Sequence, residues 1–136
     1  MARRLILDTG VLIRVERGNL DLHQLVGDDD PAIASVTATE MLVGVENSVP
    51  GKKKDLRALH TEALLSVLPV ESYNLAVARM HAILLTQTQR AGQTRSSFDL
   101  IVAATAGATG RTLITTDKAA EFDALPGVNA EIITLN

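Results

Sequence analysis

Four acids stand out by what surrounds them. Asp8 closes the apolar run Leu5-Ile6-Leu7, and Asp117 closes Thr112-Leu113-Ile114-Thr115-Thr116. Glu40 and Asp99 stand near the starts of two apolar segments with helical character. A carboxylate delivered at the end of a buried strand has lost much of its water, so it needs a metal, a cation or a shared proton, or it gives up its charge. Strands alternating with helices form a parallel sheet, whose ligands bind at the carboxyl ends of the strands, and that arrangement gathers all four acids on one edge. Two carboxylates about 4 Å apart repel by roughly 4 kcal/mol at an effective dielectric of 20, so such a cluster calls for cations. Oxygen ligands without Cys, and without a His pair at metal-ligand spacing, select Mg²⁺ or Mn²⁺ and argue against zinc. An acidic pocket holding such ions is a common arrangement for hydrolysing phosphodiesters.

Each acid alone also has a structural explanation. Asp is a preferred N-cap, which would account for Asp8. Thr37 with Glu40 reads as a capping box, placing Glu40 in a first helical turn. Asp99 fits a first turn through the helix dipole. Asp28, Asp29 and Asp30 form a fifth acidic feature, read as a solvated loop because consecutive residues point different ways and Pro31 fixes a turn. Asp8-Thr9-Gly10 also resembles the catalytic loop of aspartic proteases, which share a proton between two such aspartates. The alternating strand and helix pattern contradicts their all-β fold, and there is no second Asp-Thr-Gly in the chain.

The elements that must position these acids follow from hydrophobic spacing. Arg3 to Leu7 reads as a strand, Val11 to Arg17 as a short helix, and Leu20 to Val26 as a second one. A strand over Ala32 to Val36 leads into the helix bearing Glu40. Pro50-Gly51-Lys52-Lys53-Lys54 is a loop opening a helix with Leu56, Leu59, Ala63 and Val67 as its apolar face and His60 at the edge of the core. Pro69 ends that helix and starts a third strand. Ser72 caps a helix to about Gln89, with Tyr73, Ala76, Met80 and Ile83 on one face and His81 packed beside Val77 and Leu84. Gly92 to Ser97 is a polar linker to the Ala-rich helix of Asp99, which Gly110 ends. Phe122, Leu125 and Pro126 make a short return to a last strand over Glu131 to Leu135.

The 136 residues fit a single domain over 1–136 with a core of its own. The absence of cysteine removes disulfides and thiolate chemistry and suits a reducing compartment. Neither a signal peptide nor a membrane-spanning run is evident, so a cytoplasmic protein is expected. Aromatic residues make up only 2%, leaving few stacking platforms for bases, and a net charge of −3 argues against a simple basic DNA-binding module.

Four segments, in order and at matching spacing, resemble the PIN-domain ribonucleases, and among them the VapC-type toxins of bacterial type II toxin-antitoxin pairs. They are Leu5-Ile6-Leu7-Asp8-Thr9; Ser35 to Glu40 with Gly44 four residues on; Asp99-Leu100-Ile101-Val102-Ala103-Ala104; and Gly110 to Asp117. The resemblance covers nearly the whole chain and implies a PIN-like three-layer α/β sandwich around a parallel sheet of about five strands. It implies Asp8 and Asp99 as principal metal ligands, Asp117 completing the site, and Glu40 ligating or positioning the attacking water. Thr9 and Thr115 would orient the carboxylates. Two positions depart from the family pattern: Gly10 stands where Ser or Asn is commoner, and Phe122 lies one residue further from Asp117 than usual.

The implied function is an Mg²⁺- or Mn²⁺-dependent endoribonuclease toxin that cuts structured RNA such as tRNA or ribosomal RNA, binds a cognate antitoxin and forms a homodimer. Setting the four acids aside turns the net charge of −3 into +1. Lys52, Lys53, Lys54 and Arg57 in one group, and Arg90 and Arg95 in another, are then candidate phosphate contacts. RNA shape and backbone are the expected determinants. Leu12, Val15, Leu22, Leu25 and Val26 are candidates for antitoxin surface as well as for core. Two other classes compete: a catalytically silent PIN-type module that binds RNA or protein, and a receiver-like phosphotransfer domain. The second lacks a phosphoacceptor strand in mid-chain, and its one candidate lysine, Lys118, follows an acid the nuclease reading already uses.

Overall fold

The computed structural model describes residues 2–93 and 95–134. In chain order the elements are β1 (Arg4–Leu7), α1 (Thr9–Glu16), α2 (Leu22–Val26), β2 (Asp30–Ala34), α3 (Ser35–Glu46), α4 (Lys52–Val67), β3 (Val70–Glu71), α5 (Leu75–Arg90), α6 (Ser97–Thr109), β4 (Thr112–Thr115), a 3-10 turn (Phe122–Ala124) and β5 (Ala130–Ile132). All strand pairs are parallel, in the order β3-β2-β1-β4-β5. The expected three-layer α/β sandwich with a five-stranded parallel sheet is borne out.

Side-chain alternation along β1 assigns the two faces. Ile6, with Ala32, Ala34 and Leu113, packs under Val77 and Leu84 of α5 and the small-residue face of α6. Leu5 and Leu7, with Ile33 and Ile114, pack against Val11 and Leu12 of α1, Val26 of α2 and Met41 of α3. Ala103, Ala104 and Ala106 are fully buried, which lets α6 lie close to the sheet. Gly110 ends α6 in the left-handed region at φ 71°, where the absence of a Cβ removes the steric penalty.

Several expected boundaries and faces move. Asp30 and Pro31 belong to β2 and not to a loop. Pro31 is tolerated because its nitrogen faces the β3 side before β3 begins; two residues on, Ile33 N–H donates to Pro69 O at 2.9 Å. Asp29 and Asp30 are ion-paired with Arg3 and with the buried Arg111 respectively. Arg111 also donates to the carbonyls of Leu5 and Asp30 and to Glu71, tying three strands together. β2 ends at Ala34, so α3 starts two residues before Thr37, which is buried inside the helix. The Thr37–Glu40 capping box is therefore corrected: no side chain caps α3.

The apolar face expected on α4 is turned to solvent, with Leu56 at 53%, Leu59 at 65% and Val67 at 66% exposure, and His60 is exposed beside it. Thr61, Leu64 and Leu65 face inward instead. On α5 the buried stripe is Val77–Leu84–Thr88, with His81 half-buried against Tyr73, while Ala76 and Ile83 are exposed. Asn74 caps α5 in place of Ser72, its Oδ1 accepting from Val77 N–H. Of the last strand's expected span, Leu135 lies outside the described residues. Leu84→Ala should cost about 3 kcal/mol of unfolding free energy in urea, and Leu59→Ala about 0.5 kcal/mol or less. Equal losses would contradict the inward face assigned to each helix.

Candidate active site

The four acids are linked by one hydrogen-bonded chain at the carboxyl edge of the sheet. Asp8 ends β1 and caps α1, its Oδ1 accepting from Thr9 N–H at 2.9 Å. Its other oxygen accepts from Thr115 Oγ1 at 2.8 Å, at the end of β4 next door. Thr115 Oγ1 in turn accepts from Asp117 N–H at 3.0 Å, and Asp117 Oδ1 accepts from Ala120 N–H at 3.1 Å. On the far side, Thr9 Oγ1 donates to Glu40 Oε1 at 2.7 Å, and Thr37 Oγ1 lies 3.3 Å from the same hydroxyl. Each threonine spends its hydroxyl on orienting a carboxylate, which fixes where the acids' free oxygens can go.

Glu40 reaches this network from the second turn of α3, half-buried. Asp99 stands in the first turn of α6 behind the cap residue Ser96, where the helix dipole favours negative charge. An open cleft of about 490 Å³ has Arg95, Ser96, Asp99, Asp117, Ala120 and Glu121 on its wall. Asp8 and Glu40 are not on that wall; Asp8 is 7% exposed. Among the described residues no three His, Cys, Asp or Glu side chains close around a single point as a preformed cage.

Electrostatics shows the convergence most directly. Burial raises the Asp99 carboxyl to about 6, and the charges of Asp8, Asp117 and Glu40 push the same way, while Arg95 opposes them. Burial also raises the Asp8 carboxyl, with Asp117 adding to it; the bonds from Thr115 and Thr9 work against that rise. All four acids therefore sense one another through Asp99. The sequence did not reveal Arg95 as part of this set: its guanidinium donates to the carbonyls of Ala120 and Glu121 and does not stand free for phosphate. Thr37 was missed as well, since its place beside Thr9 follows from the earlier start of α3.

Gly10, half-buried, would bring a Cβ to 3.4 Å from Thr116 Oγ1, an ordinary contact, so the departure there leaves the acids in place. Phe122 is buried at 2% and anchors the turn after Asp117 in the α5–α6 side of the core.

The PIN domain family model matches residues 5–127, and the chain belongs to the PIN domain family. Within it, the similarity is to VapC ribonucleases. Ribonuclease VapC1 of Rickettsia felis is 26% identical over 136 residues, covering 97% of this chain and 96% of the relative. VapBC-5 of Mycobacterium tuberculosis, a toxin-antitoxin system, matches with a TM-score of 0.76 at 29% identity over 97% of this chain and 98% of that one. VapBC2 of Rickettsia felis, bound to a DNA fragment from its promoter, shares the fold with a TM-score of 0.85 at 24% identity, covering 96% and 99% of the two chains. The resemblance read from the four segments is borne out.

Because folding raises the Asp99 carboxyl from 3.8 to about 6, its contribution to stability is greatest below pH 3.8 and is lost as pH rises through about 6. Metal-free wild type should therefore lose stability across that window relative to Asp99→Asn in urea titrations. Parallel pH profiles for the two proteins would mean that Asp99 does not feel the other acids.

Proposed function

We propose that the chain is a single-domain, VapC-type endoribonuclease toxin that hydrolyses phosphodiesters in structured RNA, tRNA or ribosomal RNA, with Mg²⁺ or Mn²⁺. The observation that carries the reading is the position of Asp99, whose carboxyl is raised by Asp8, Asp117 and Glu40 together. Asp8 and Asp99 would hold the metal and Asp117 would complete the site. The donor set suits it: Mg²⁺ takes oxygen ligands, often only one or two carboxylates, and keeps several waters, so a closed protein cage is not required. When bound, the ion would polarise the phosphoryl oxygen and offset charge on the leaving oxygen.

The remaining groups act by position. Thr115 and Thr9 fix the Asp8 carboxylate, and Thr9 aligns Glu40, whose second oxygen is left to orient the attacking water. Lys52 and Lys53 are exposed at the start of α4 and Arg90 at the end of α5, available to RNA phosphates. Lys54 and Arg57 have side-chain bonds to Glu46 O and Ser48 Oγ. RNA recognition through shape and backbone agrees with the low aromatic content.

A cognate antitoxin and a homodimer belong to the same proposal. The solvent-facing Leu56, Leu59, Ala63 and Val67 of α4, with Val15 of α1 alongside, support a helical apolar partner better than the N-terminal leucines do. Leu12 and Val26 are buried in the core, and Leu22 and Leu25 pack against it. The absence of a preformed cage among the described residues favours the second reading, a catalytically silent PIN module that binds RNA or protein.

Incubation with total cellular RNA in Mg²⁺ or Mn²⁺ separates the two. Discrete fragments are expected, lost with EDTA and in Asp99→Asn; binding without cleavage under either metal would establish the silent module. Asp8→Asn should abolish cleavage while leaving the metal-free melting temperature unchanged or higher, because it removes a desolvated charge. A large drop in that temperature would mark Asp8 as chiefly a cap.

A further inference from the structure

We propose that Arg95 is a positioning residue that sets the spacing of Asp99 and Asp117, an inference that rests on the metal-dependent reading above. Arg95 lies two residues ahead of α6, in the segment that delivers Asp99. Its guanidinium reaches the turn after Asp117 and donates to Ala120 O and Glu121 O, the latter at 3.4 Å. Ala120 is thus held from both sides: its carbonyl by Arg95 and its N–H by Asp117 Oδ1. Asp117 itself is exposed, and its carboxylate has no other bond among the described residues, so the placement of Ala120 decides where that carboxylate stands.

The turn needs the tie. Glu121, at φ 48°, is the one non-glycine residue in the left-handed region among the described residues, a conformation that persists only when its surroundings enforce it. The two Arg95 bonds fall on Glu121 and the residue before it. The guanidinium is placed for this span even at the expense of its own bonding: Nε is buried with no partner among the described residues. Arg95 also closes the chain of contacts that runs from Glu40 through Thr9, Asp8, Thr115, Asp117 and Ala120, returning it to the segment that carries Asp99.

Charge and positioning predict opposite signs, which makes the role testable. Arg95 is a cation close enough to lower the Asp99 carboxyl. Removing it makes the cluster more negative, and on charge alone Arg95→Gln should bind divalent cations more tightly. If the tie matters, Arg95→Gln should bind Mn²⁺ about tenfold more weakly, within the range seen when groups supporting metal ligands are removed. Arg95→Lys keeps the charge but lacks the planar fork that serves two carbonyls, so it should weaken binding similarly.

The measurement is Mn²⁺ titration calorimetry on the RNA-free full chain, with circular dichroism confirming the fold of each variant and hydrogen exchange reporting the Ala120 amide. The expected result is weaker Mn²⁺ binding in both variants, faster exchange at Ala120, and in RNA cleavage a lower kcat with KM unchanged at saturating metal. Tighter or unchanged Mn²⁺ binding in Arg95→Gln, wild-type binding in Arg95→Lys, or a rise confined to KM would overturn the proposal, the last in favour of a phosphate contact. A variant that does not fold would also overturn it, since Arg95 would then hold the fold and not the spacing. Wild type that binds no Mn²⁺ would sink the ribonuclease reading and this proposal with it.

Discussion

Like-charge repulsion at one edge of the sheet is the constraint on which the rest of this structure depends. A parallel sheet brings all its strand ends to the same side, and here Asp8 arrives with β1, Asp117 just past β4, and Glu40 and Asp99 near the starts of helices that rise from that side. Nothing in hydrophobic packing rewards such crowding. The fold tolerates it through short-range compensation: hydroxyls of Thr9 and Thr115, backbone amides of Thr9, Asp117 and Ala120, and the amino end of α6. What compensation leaves over appears as the raised carboxyls of Asp8 and Asp99. That residue of strain makes the edge a place where a cation would gain more than it would at an isolated acid.

Much of this was legible in the residues, for a physical reason. Strand runs ending in an acid, such as Leu5 to Asp8 and Thr112 to Asp117, carry their meaning locally, because burial and chain direction together say where the carboxylate emerges. The strand and helix order, and with it the five-stranded parallel sheet, followed from alternating periodicity. The helix faces did not. On α4 the four positions at helical spacing read as core, yet the sheet takes Thr61, Leu64 and Leu65 instead. Apolar spacing shows that a helix has a greasy face; it does not say whether that face meets its own sheet or another molecule.

Arg95 illustrates the other kind of illegibility. As a sequence letter beside Arg90 it looked like one more cation for nucleic acid. Its use depends on contacts with Ala120 and Glu121, 25 and 26 residues away, made by their carbonyls, which every amino acid possesses. No residue type at positions 120 and 121 announces that partnership. The earlier start of α3 was hidden for a similar reason, since Ala34 serves as N-cap without a side-chain bond to mark it.

The strand order also bears on time. β1 lies between β2 and β4, so the first half of the sequence builds outward on one side of it and the second half on the other. Asp8 meets Thr115 across 107 positions of sequence. A chain leaving the ribosome from its amino end therefore carries its first acid long before its last, and the cluster cannot assemble until residue 117 is free to fold. Whatever the cluster does, it does late: a nascent or truncated chain lacking β4 has one of its carboxylates in hand and no neighbour strand to set it against.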